Sequence, residues 1–280
     1  MQSRLTGPTA FFSTLAAMAG KELTIMLRYP VEFAASFGQV FLIVASVTLA
    51  GLMFTPRTGA VGESSATAGV VVYGFVIFMF LSDTLWTIGY NVRRDQKQGT
   101  LEQLYLSPAS KFANLLSRIA VSLVWTGLLC VTSGLLMGAL IGALPVHNVP
   151  LGVGVLILTL SGTFGFGFAF AALTLRIKES AQTLINAIQF TFMVVCAPFF
   201  PFSVLPEWIR AVTVWIPLSH GVDAFRSLMM GMPAGYPELA PLEVELAVIA
   251  VFGVVMPVIG YWLYRHEEDV ARRAGTLSEY

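Results

Sequence analysis

The side chains best suited to chemistry are few and scattered along this 280-residue chain. The three histidines, His147, His220 and His266, are widely separated and do not form a metal-ligand spacing. The two cysteines, Cys130 and Cys196, both lie inside long apolar runs, where free cysteines usually serve as small packing residues. We therefore expect neither a metal centre nor a disulfide framework.

Motifs for catalysis and nucleotide binding are also missing from the sequence. It contains no G-x-S-x-G nucleophile elbow, no H-E-x-x-H and no G-x-x-x-x-G-K-[ST] phosphate loop. The glycines at 162, 165 and 167 lie in an apolar run, where small residues usually allow two helices to pack closely. We expect this chain not to be an enzyme, and to bind no cofactor of its own.

Asp83 is the one acidic residue that lies well inside a long apolar run. Ionisable residues inside a membrane are costly to bury and are candidates for function by default. We predict that Asp83 pairs with a Lys or Arg near the cytoplasmic side and stabilises an inward-facing gate. A structural polar contact with a neighbouring helix explains it equally well.

The elements that carry these residues are predicted to be membrane-spanning helices. Hydrophobic residues make up 56% of the chain and charged residues 11%, whereas soluble domains carry roughly a quarter charged residues. Helices are required because lipid cannot satisfy backbone polar groups, and each span needs about 20 apolar residues. The sequence predicts an all-α integral membrane protein with six transmembrane helices, at about 33–54, 70–91, 119–144, 152–175, 181–201 and 246–264.

The distribution of positive charge predicts the orientation of the chain. Six spans place both termini on one side, and of the 16 Lys and Arg residues only Arg57, Arg210 and Arg226 fall on the other side. Because cytoplasmic segments are rich in Lys and Arg, we expect both termini to be cytoplasmic in a multi-pass protein of the cytoplasmic membrane. The formal net charge is +0, so a nucleic-acid partner is not expected.

An amphipathic helix is predicted over residues 8–29, before the first span. Its basic residues Lys21 and Arg28 project away from the apolar face, and Pro30 ends it. Such a helix lies in the membrane interface, with lipid as its partner, or packs on a neighbouring cytosolic element. The apolar face is formed by Phe12, Leu15, Ala19, Leu23 and Met26.

The longest cytoplasmic loop, residues 92–118, contains a second short helix. Gly99 and Thr100 interrupt helical structure and cap the helix predicted after them, which has its apolar side chains on one face. An exposed helix with an apolar face predicts a protein partner, although it would also be stable lying on the membrane surface of its own chain. The residues concerned are Gly99, Thr100, Leu101, Glu102, Leu104 and Tyr105.

Prolines divide the segment between the fifth and sixth spans, residues 202–232. One helix cannot pass through Pro206 and Pro217, and the segment is too apolar for a free loop. We predict a re-entrant pair of short helices, at about 205–216 and 218–230. Asp223 and Arg226, three positions apart, would neutralise each other there, either as a structural ion pair or as part of a gate or pathway.

These segments together resemble the ABC-2 type permeases of ATP-binding cassette exporters. The similarity rests on residues 99–104 (GTLEQL) with Ser107-Pro108, on residues 205–208 (LPEW), and on residues 217–220 (PLSH) followed by Asp223, Arg226 and Gly231. It covers essentially the whole chain, 1–280, as a single transmembrane domain. Within this family, the sequence of the PLSH motif with Asp223 and Arg226 is most similar to daunorubicin-resistance and nodulation-type lipo-oligosaccharide exporters. One departure is that only Asp95 is acidic in the stretch before Gly99.

The resemblance implies an ATP-driven exporter in which this chain is the membrane subunit. The helix near 101–106 would be the coupling helix, seated in a groove of an ABC ATPase subunit, and residues 8–29 would be the interfacial connecting helix. Two permeases, identical or homologous, would sit on two ATPase subunits, which would bind ATP and Mg²⁺. The substrate would be an amphipathic drug, a lipid or a lipid-linked saccharide.

Two other classes of function remain open from the sequence. A secondary, ion-coupled transporter would need coupling-ion sites and internal inverted repeats, and a single intramembrane acid supports it weakly. An intramembrane enzyme would need a nucleophile or a metal-ligand constellation, and the sequence offers neither. We therefore favour the exporter permease.

Overall fold

A computed structural model of the chain describes residues 30–54, 61–97, 111–141, 144–177 and 181–274, together with six isolated positions between 13 and 28. The regular secondary structure of these residues is entirely helical, which confirms the predicted all-α class. The helices are α1 (Pro30–Phe54), α2 (Val61–Lys97), α3 (Lys111–Ile141), α4 (Val149–Ile177), α5 (Ala181–Val195), α6 (Glu207–Thr213), α7 (Pro217–Met229) and α8 (Leu242–Ala274). A single 3-10 turn, Phe202–Val204, precedes α6.

Four of these helices contain a stretch long and apolar enough to cross a membrane. The stretches are Ala68–Thr87, Val121–Leu140, Val149–Leu173 and Leu242–Glu267. They agree with the predicted spans at 70–91, 119–144, 152–175 and 246–264. Shorter apolar stretches, Ala34–Ala50 in α1 and Gln182–Val195 in α5, lie where the first and fifth spans are predicted, and those two spans stay predictions.

Helix α5 ends at Val195, earlier than the predicted limit at residue 201. Its 15 residues extend for about 22 Å, less than the roughly 30 Å of a bilayer's hydrocarbon core. The helix stops because Ala197 adopts a positive φ of 44° and Pro198 has no N–H to continue the hydrogen-bond ladder. The chain turns at residues 196–201 instead of continuing as a helix.

Helix α2 lies at the centre of the protein. In its most apolar stretch 83% of the residues are buried inside the protein, against 17% in the corresponding stretch of α8. Helix α2 contacts α1, α3, α4, α5 and α7. It therefore positions residues that meet several other elements, whereas α8 leaves a broad apolar face for lipid.

Helices α4 and α8 are joined through small residues. A Cβ atom on Gly260 would overlap the carbonyl oxygen of Gly165, so the two backbones approach closely at this point. The Ser161 hydroxyl donates a hydrogen bond of 2.7 Å to the carbonyl oxygen of Gly253, one turn along the same contact. Gly162 and Gly165 thus have the close-packing role predicted for them.

Two predicted helices fall largely or wholly outside the described residues. The isolated positions between 13 and 28 are helical, but the apolar face of the predicted 8–29 helix is not among them. The predicted coupling helix lies outside the described residues altogether. Its residues are Gly99, Thr100, Leu101, Glu102, Leu104 and Tyr105.

The proline-rich segment between α5 and α8 forms two short helices, as its prolines require. Helices α6 and α7 lie close to the predicted ranges 205–216 and 218–230. Pro217 occupies the first turn of α7, where its missing N–H costs nothing. Helix α7 is buried along almost its whole length, in contact with α2, α4 and α8.

Candidate functional site

Arg226 on α7 holds the turn between α5 and α6 against α2. Its side chain is fully buried, and its hydrogen bonds to the described residues all go to backbone carbonyl oxygens. Nε donates to Val70 at 3.0 Å, Nη1 to Phe200 at 3.4 Å, and Nη2 to Ala197 at 2.9 Å and Pro198 at 3.3 Å. The turn that follows α5 has carbonyls outside any helix, and the guanidinium fork binds three of them together with one on α2.

Gly74 on α2 makes room for this arrangement. A Cβ atom at this position would overlap both the Pro198 carbonyl oxygen and Nη2 of Arg226. The turn and the guanidinium can therefore reach the α2 backbone only because residue 74 has no side chain.

Asp223 joins α7 to the loop that leads into α8. Its Oδ2 accepts hydrogen bonds of 2.7 Å from the backbone N–H groups of both Glu238 and Leu239. Among the described residues, Asp223 and Arg226 form their hydrogen bonds with backbone groups, so the predicted neutralisation of one by the other stays a prediction. The two opposite charges attract each other. Burial raises the pKa of Asp223 above its ordinary value.

Glu238 completes the connection between the loop and the start of the α6–α7 segment. Its carboxylate accepts the backbone N–H of Phe202 at 3.1 Å and that of Ser203 at 2.7 Å. Its own carbonyl oxygen accepts a hydrogen bond of 2.9 Å from Nη2 of Arg210 on α6. Through Asp223 and Glu238, the loop 236–241 ties α6, α7 and the 3-10 turn into one unit.

A buried histidine–carboxylate pair links α7 to α8. His220 Nδ1 lies 3.7 Å from Oε1 of Glu245, and the two side chains are 5% and 0% exposed. The other ring nitrogen, Nε2, lies 2.9 Å from the Val214 carbonyl oxygen. The neighbouring Glu245 carboxyl raises the pKa of His220, against the opposing effect of burial.

Asp83 contacts hydroxyl groups and not a basic residue among the described side chains. The Ser122 hydroxyl on α3 donates to its Oδ2, and the hydroxyls of Thr87 and Thr126 lie beside the same carboxyl. The predicted partner is a Lys or Arg near the cytoplasmic side, and the Lys and Arg residues of 92–118 have no described side chains. Its pairing with a base and its role in a gate stay predictions.

Asp83 lies on the wall of a cavity of about 480 Å³ between α1, α2, α3 and α5. Trp86 on α2 donates a 2.7 Å hydrogen bond to Oε1 of Gln189 on α5, which fixes one part of the wall. Another part is Phe199, whose ring centroid lies 5.7 Å from that of Phe75 and 5.8 Å from that of Phe78. Arg226 donates hydrogen bonds to the carbonyl oxygens of Pro198 and Phe200, which lie on either side of Phe199 in the chain. Because Arg226 belongs to α7, the α6–α7 segment shapes this cavity.

The structure thus separates the predicted site residues into two groups, which the sequence does not show. Asp223 and Arg226 act as anchors of the α6–α7 segment, and Asp83 faces a cavity formed elsewhere on α2. His220, Gly74, Glu238 and Glu245 belong to the same anchoring system but were not among the predicted site residues. The PLSH motif contains His220, but no local sequence spacing indicated the contacts of these four residues.

Comparison with known proteins places the chain in a family. Residues 55–262, well over half of the chain, match a family model described as ABC-2 family transporter protein. No curated protein matches the sequence significantly. The family match and the apolar helices together show a multi-pass membrane permease, and the chain belongs to the ABC-2 family of transporter proteins.

Proposed function

We propose that this chain is the membrane-spanning subunit of an ATP-binding cassette exporter in the cytoplasmic membrane. It moves an amphipathic drug, a lipid or a lipid-linked saccharide, in the manner of the daunorubicin-resistance and nodulation-type exporters that its motifs resemble. The observation that carries the proposal is the family match over residues 55–262, which includes both motif regions. ABC-2 permeases generally work with ABC ATPase subunits, so the energy comes from a partner.

The described helices support a specific arrangement for this permease. In this proposal α1 and α5 supply the first and fifth of six spans, so both termini lie on one side of the membrane, and the distribution of Lys and Arg favours the cytoplasmic side. The α6–α7 segment dips into the outer part of the membrane, where the burial of α7 and the hydrogen bonds of Arg226 and Asp223 to backbone groups make such a position tolerable. Two permeases, each with its cavity between α1, α2, α3 and α5, form the pathway.

The chain carries out no catalysis of its own in this proposal. ATP and Mg²⁺ bind the partner ATPases, whose closure moves the coupling helix near 101–106. That movement rocks the two permeases between inward-facing and outward-facing states. The largely apolar walls of the cavity suit an amphipathic substrate better than a small inorganic ion.

Co-purification with the candidate ATPase tests the proposal. The chain and the ATPase are co-expressed and extracted in detergent, and the amount of ATPase retained is compared between wild type and a Leu101→Asp, Leu104→Asp double variant. We expect the double variant to lose the ATPase, because two charges on the apolar face of the coupling helix prevent its burial in the partner. Gln103→Asp adds a charge away from that face, and this control should retain the ATPase.

Size-exclusion chromatography must show that each variant remains folded. Retention of the ATPase by the folded double variant would contradict the assigned coupling helix. If neither wild type nor variant binds an ATPase while the purified chain alone transports substrate down an ion gradient, the exporter proposal fails and the secondary transporter replaces it.

A further inference from the structure

We propose that the cavity between α1, α2, α3 and α5 binds organic cations, with the Asp83 carboxylate as the counter-charge. This inference names the substrate class of the permease and so rests on the proposed function. It goes beyond the family match, which does not distinguish between cationic, anionic and neutral substrates.

The charge of the cavity wall is the first observation. Among the described residues that line the cavity, Asp83 is the one charged side chain, and no Lys, Arg or His accompanies it. Its neighbours Ser122, Thr87 and Thr126 orient the carboxyl through their hydroxyls but bring no positive charge. A ligand that enters the cavity therefore meets a single negative group in a largely apolar surrounding, which favours a cation.

The aromatic lining is the second observation. Trp86 and Trp125 line the cavity together with four phenylalanines, and tryptophan faces attract cations most strongly among the aromatic side chains. Such faces also bind the apolar body of an organic cation. The same wall gives no advantage to an anion, which would approach both the carboxylate and the negative faces of the rings.

A polar group without a partner is the third observation. The Ser82 hydroxyl is buried on the cavity wall and has no hydrogen-bond partner among the described residues. Buried polar atoms are normally paired, so this hydroxyl beside the cavity is available to form a hydrogen bond with a ligand. Ser82 is adjacent in sequence to Asp83, which places this hydrogen-bonding group close to the proposed counter-charge.

The size and chemistry of the cavity favour an organic cation over a metal ion. Its volume of about 480 Å³ falls within the range of sites that hold drug-sized molecules, roughly 300–1,000 Å³. A metal ion would need several protein oxygens or nitrogens around it, and no His, Cys, Asp and Glu cluster of that kind exists among the described residues.

Binding of two hydrophobic ions of matched size and opposite charge tests the inference. Tetraphenylphosphonium and tetraphenylborate are titrated separately into the purified chain in a neutral detergent, and tryptophan fluorescence reports the bound fraction. We expect Asp83→Asn to weaken tetraphenylphosphonium binding by about tenfold, because the carboxylate attracts the cation in a poorly solvated site. Tetraphenylborate binding should stay the same or become tighter.

A second pair of variants avoids the risk that Asp83→Asn fails to fold. Gln39→Lys puts a positive charge at an exposed position on the cavity wall and should weaken tetraphenylphosphonium binding without weakening tetraphenylborate binding. Gln182→Lys makes the same change at an exposed position of α5 that does not line the cavity, and it should change neither.

The inference is overturned if folded Asp83→Asn and Gln39→Lys both bind tetraphenylphosphonium as wild type does. It is also overturned if the two probes weaken equally, because the cavity would then select for apolar bulk and not for charge. Neither measurement uses ATP or the ATPase. Failure of the wild-type chain to bind an ATPase therefore counts against the proposed function, whereas unchanged cation binding by the cavity variants counts against the cation site alone.

Discussion

Gly74 on α2 and Arg226 on α7 are so close that a Cβ atom on Gly74 would overlap Nη2 of the Arg226 guanidinium. The same Cβ would overlap the Pro198 carbonyl oxygen, which Nη2 also binds. The contact is formed by residues from three separate parts of the chain. The backbone of α2, the end of α5 and the middle of α7 all depend on it.

We expect Gly74→Ala to destabilise the protein. The added methyl group must displace either the guanidinium or the backbone turn, and rigid surroundings make such overpacking cost about 1–3 kcal/mol. Thermal unfolding in detergent, followed by tryptophan fluorescence, measures the effect. Gly154→Ala is the matched control, because nothing lies within 4 Å of its added Cβ. A variant at position 74 as stable as wild type would show that the turn can move away freely.

Arg226→Lys should destabilise the protein although it keeps the positive charge. An ammonium group cannot reproduce the planar fork that reaches four carbonyl oxygens on two elements. Leaving some of these buried acceptors unpaired should cost roughly 3 kcal/mol. Chemical or thermal unfolding in detergent would show the loss.

The matched control for this substitution is Arg210→Lys. Arg210 is exposed and donates a side-chain hydrogen bond to the Glu238 carbonyl oxygen, so the change should cost no more than about 1 kcal/mol. Equal losses at positions 210 and 226 would argue against a special role for the guanidinium fork.

The pair formed by His220 and Glu245 should make stability depend on pH. The Glu245 carboxyl raises the pKa of His220, so the folded protein binds this proton more tightly than the unfolded chain does. The resulting stabilisation is fully present below the ordinary histidine pKa of about 6.5 and is lost as the pH rises through the folded pKa. Asp223 also faces the ring, and its raised pKa acts in the same direction at lower pH.

Melting temperatures measured in detergent from about pH 6 to pH 9 would test this dependence. We expect wild type to lose stability across the range and His220→Asn to show a smaller slope, because the carboxyls beside the ring contribute the remainder. His266→Asn is the control, because His266 is exposed and stacks on Trp262 away from α7. A slope that persists in His220→Asn would have to arise from other groups.

Gly260→Ala should separate α4 from α8. The new Cβ would overlap the Gly165 carbonyl oxygen, and the atoms it meets all belong to the Gly165 backbone, which cannot rotate out of the way. We expect a lower melting temperature and greater access of a cysteine-reactive probe to single cysteines placed along the α4–α8 contact. Gly38→Ala, which meets nothing within 4 Å, should leave both properties unchanged. A normal melting temperature for Gly260→Ala would show that this close approach is not required.

The prolines illustrate how far local sequence can be read. Pro206 and Pro217 predicted a break into two short helices. Helix α6 begins directly after Pro206 and α7 begins at Pro217, because proline is favoured at the start of a helix, where its missing N–H costs nothing. Pro198, in contrast, falls within the predicted fifth span, 181–201. There the helix stops at Val195, since the turn that follows is stabilised by Arg226, a residue on another helix.

The sequence by itself determined the all-helical class, the four long apolar spans, the split segment before the last span and the family. These follow from continuous runs of apolar residues and from prolines, which act on the chain locally. The tertiary structure alone decided which backbone carbonyls Arg226 binds, that His220 meets Glu245, and that Asp83 faces a cavity. Those contacts join residues far apart in the chain, such as Arg226 and Val70, which are 156 positions apart. Their partners are largely backbone atoms, which every residue carries and which therefore leave no mark in the sequence.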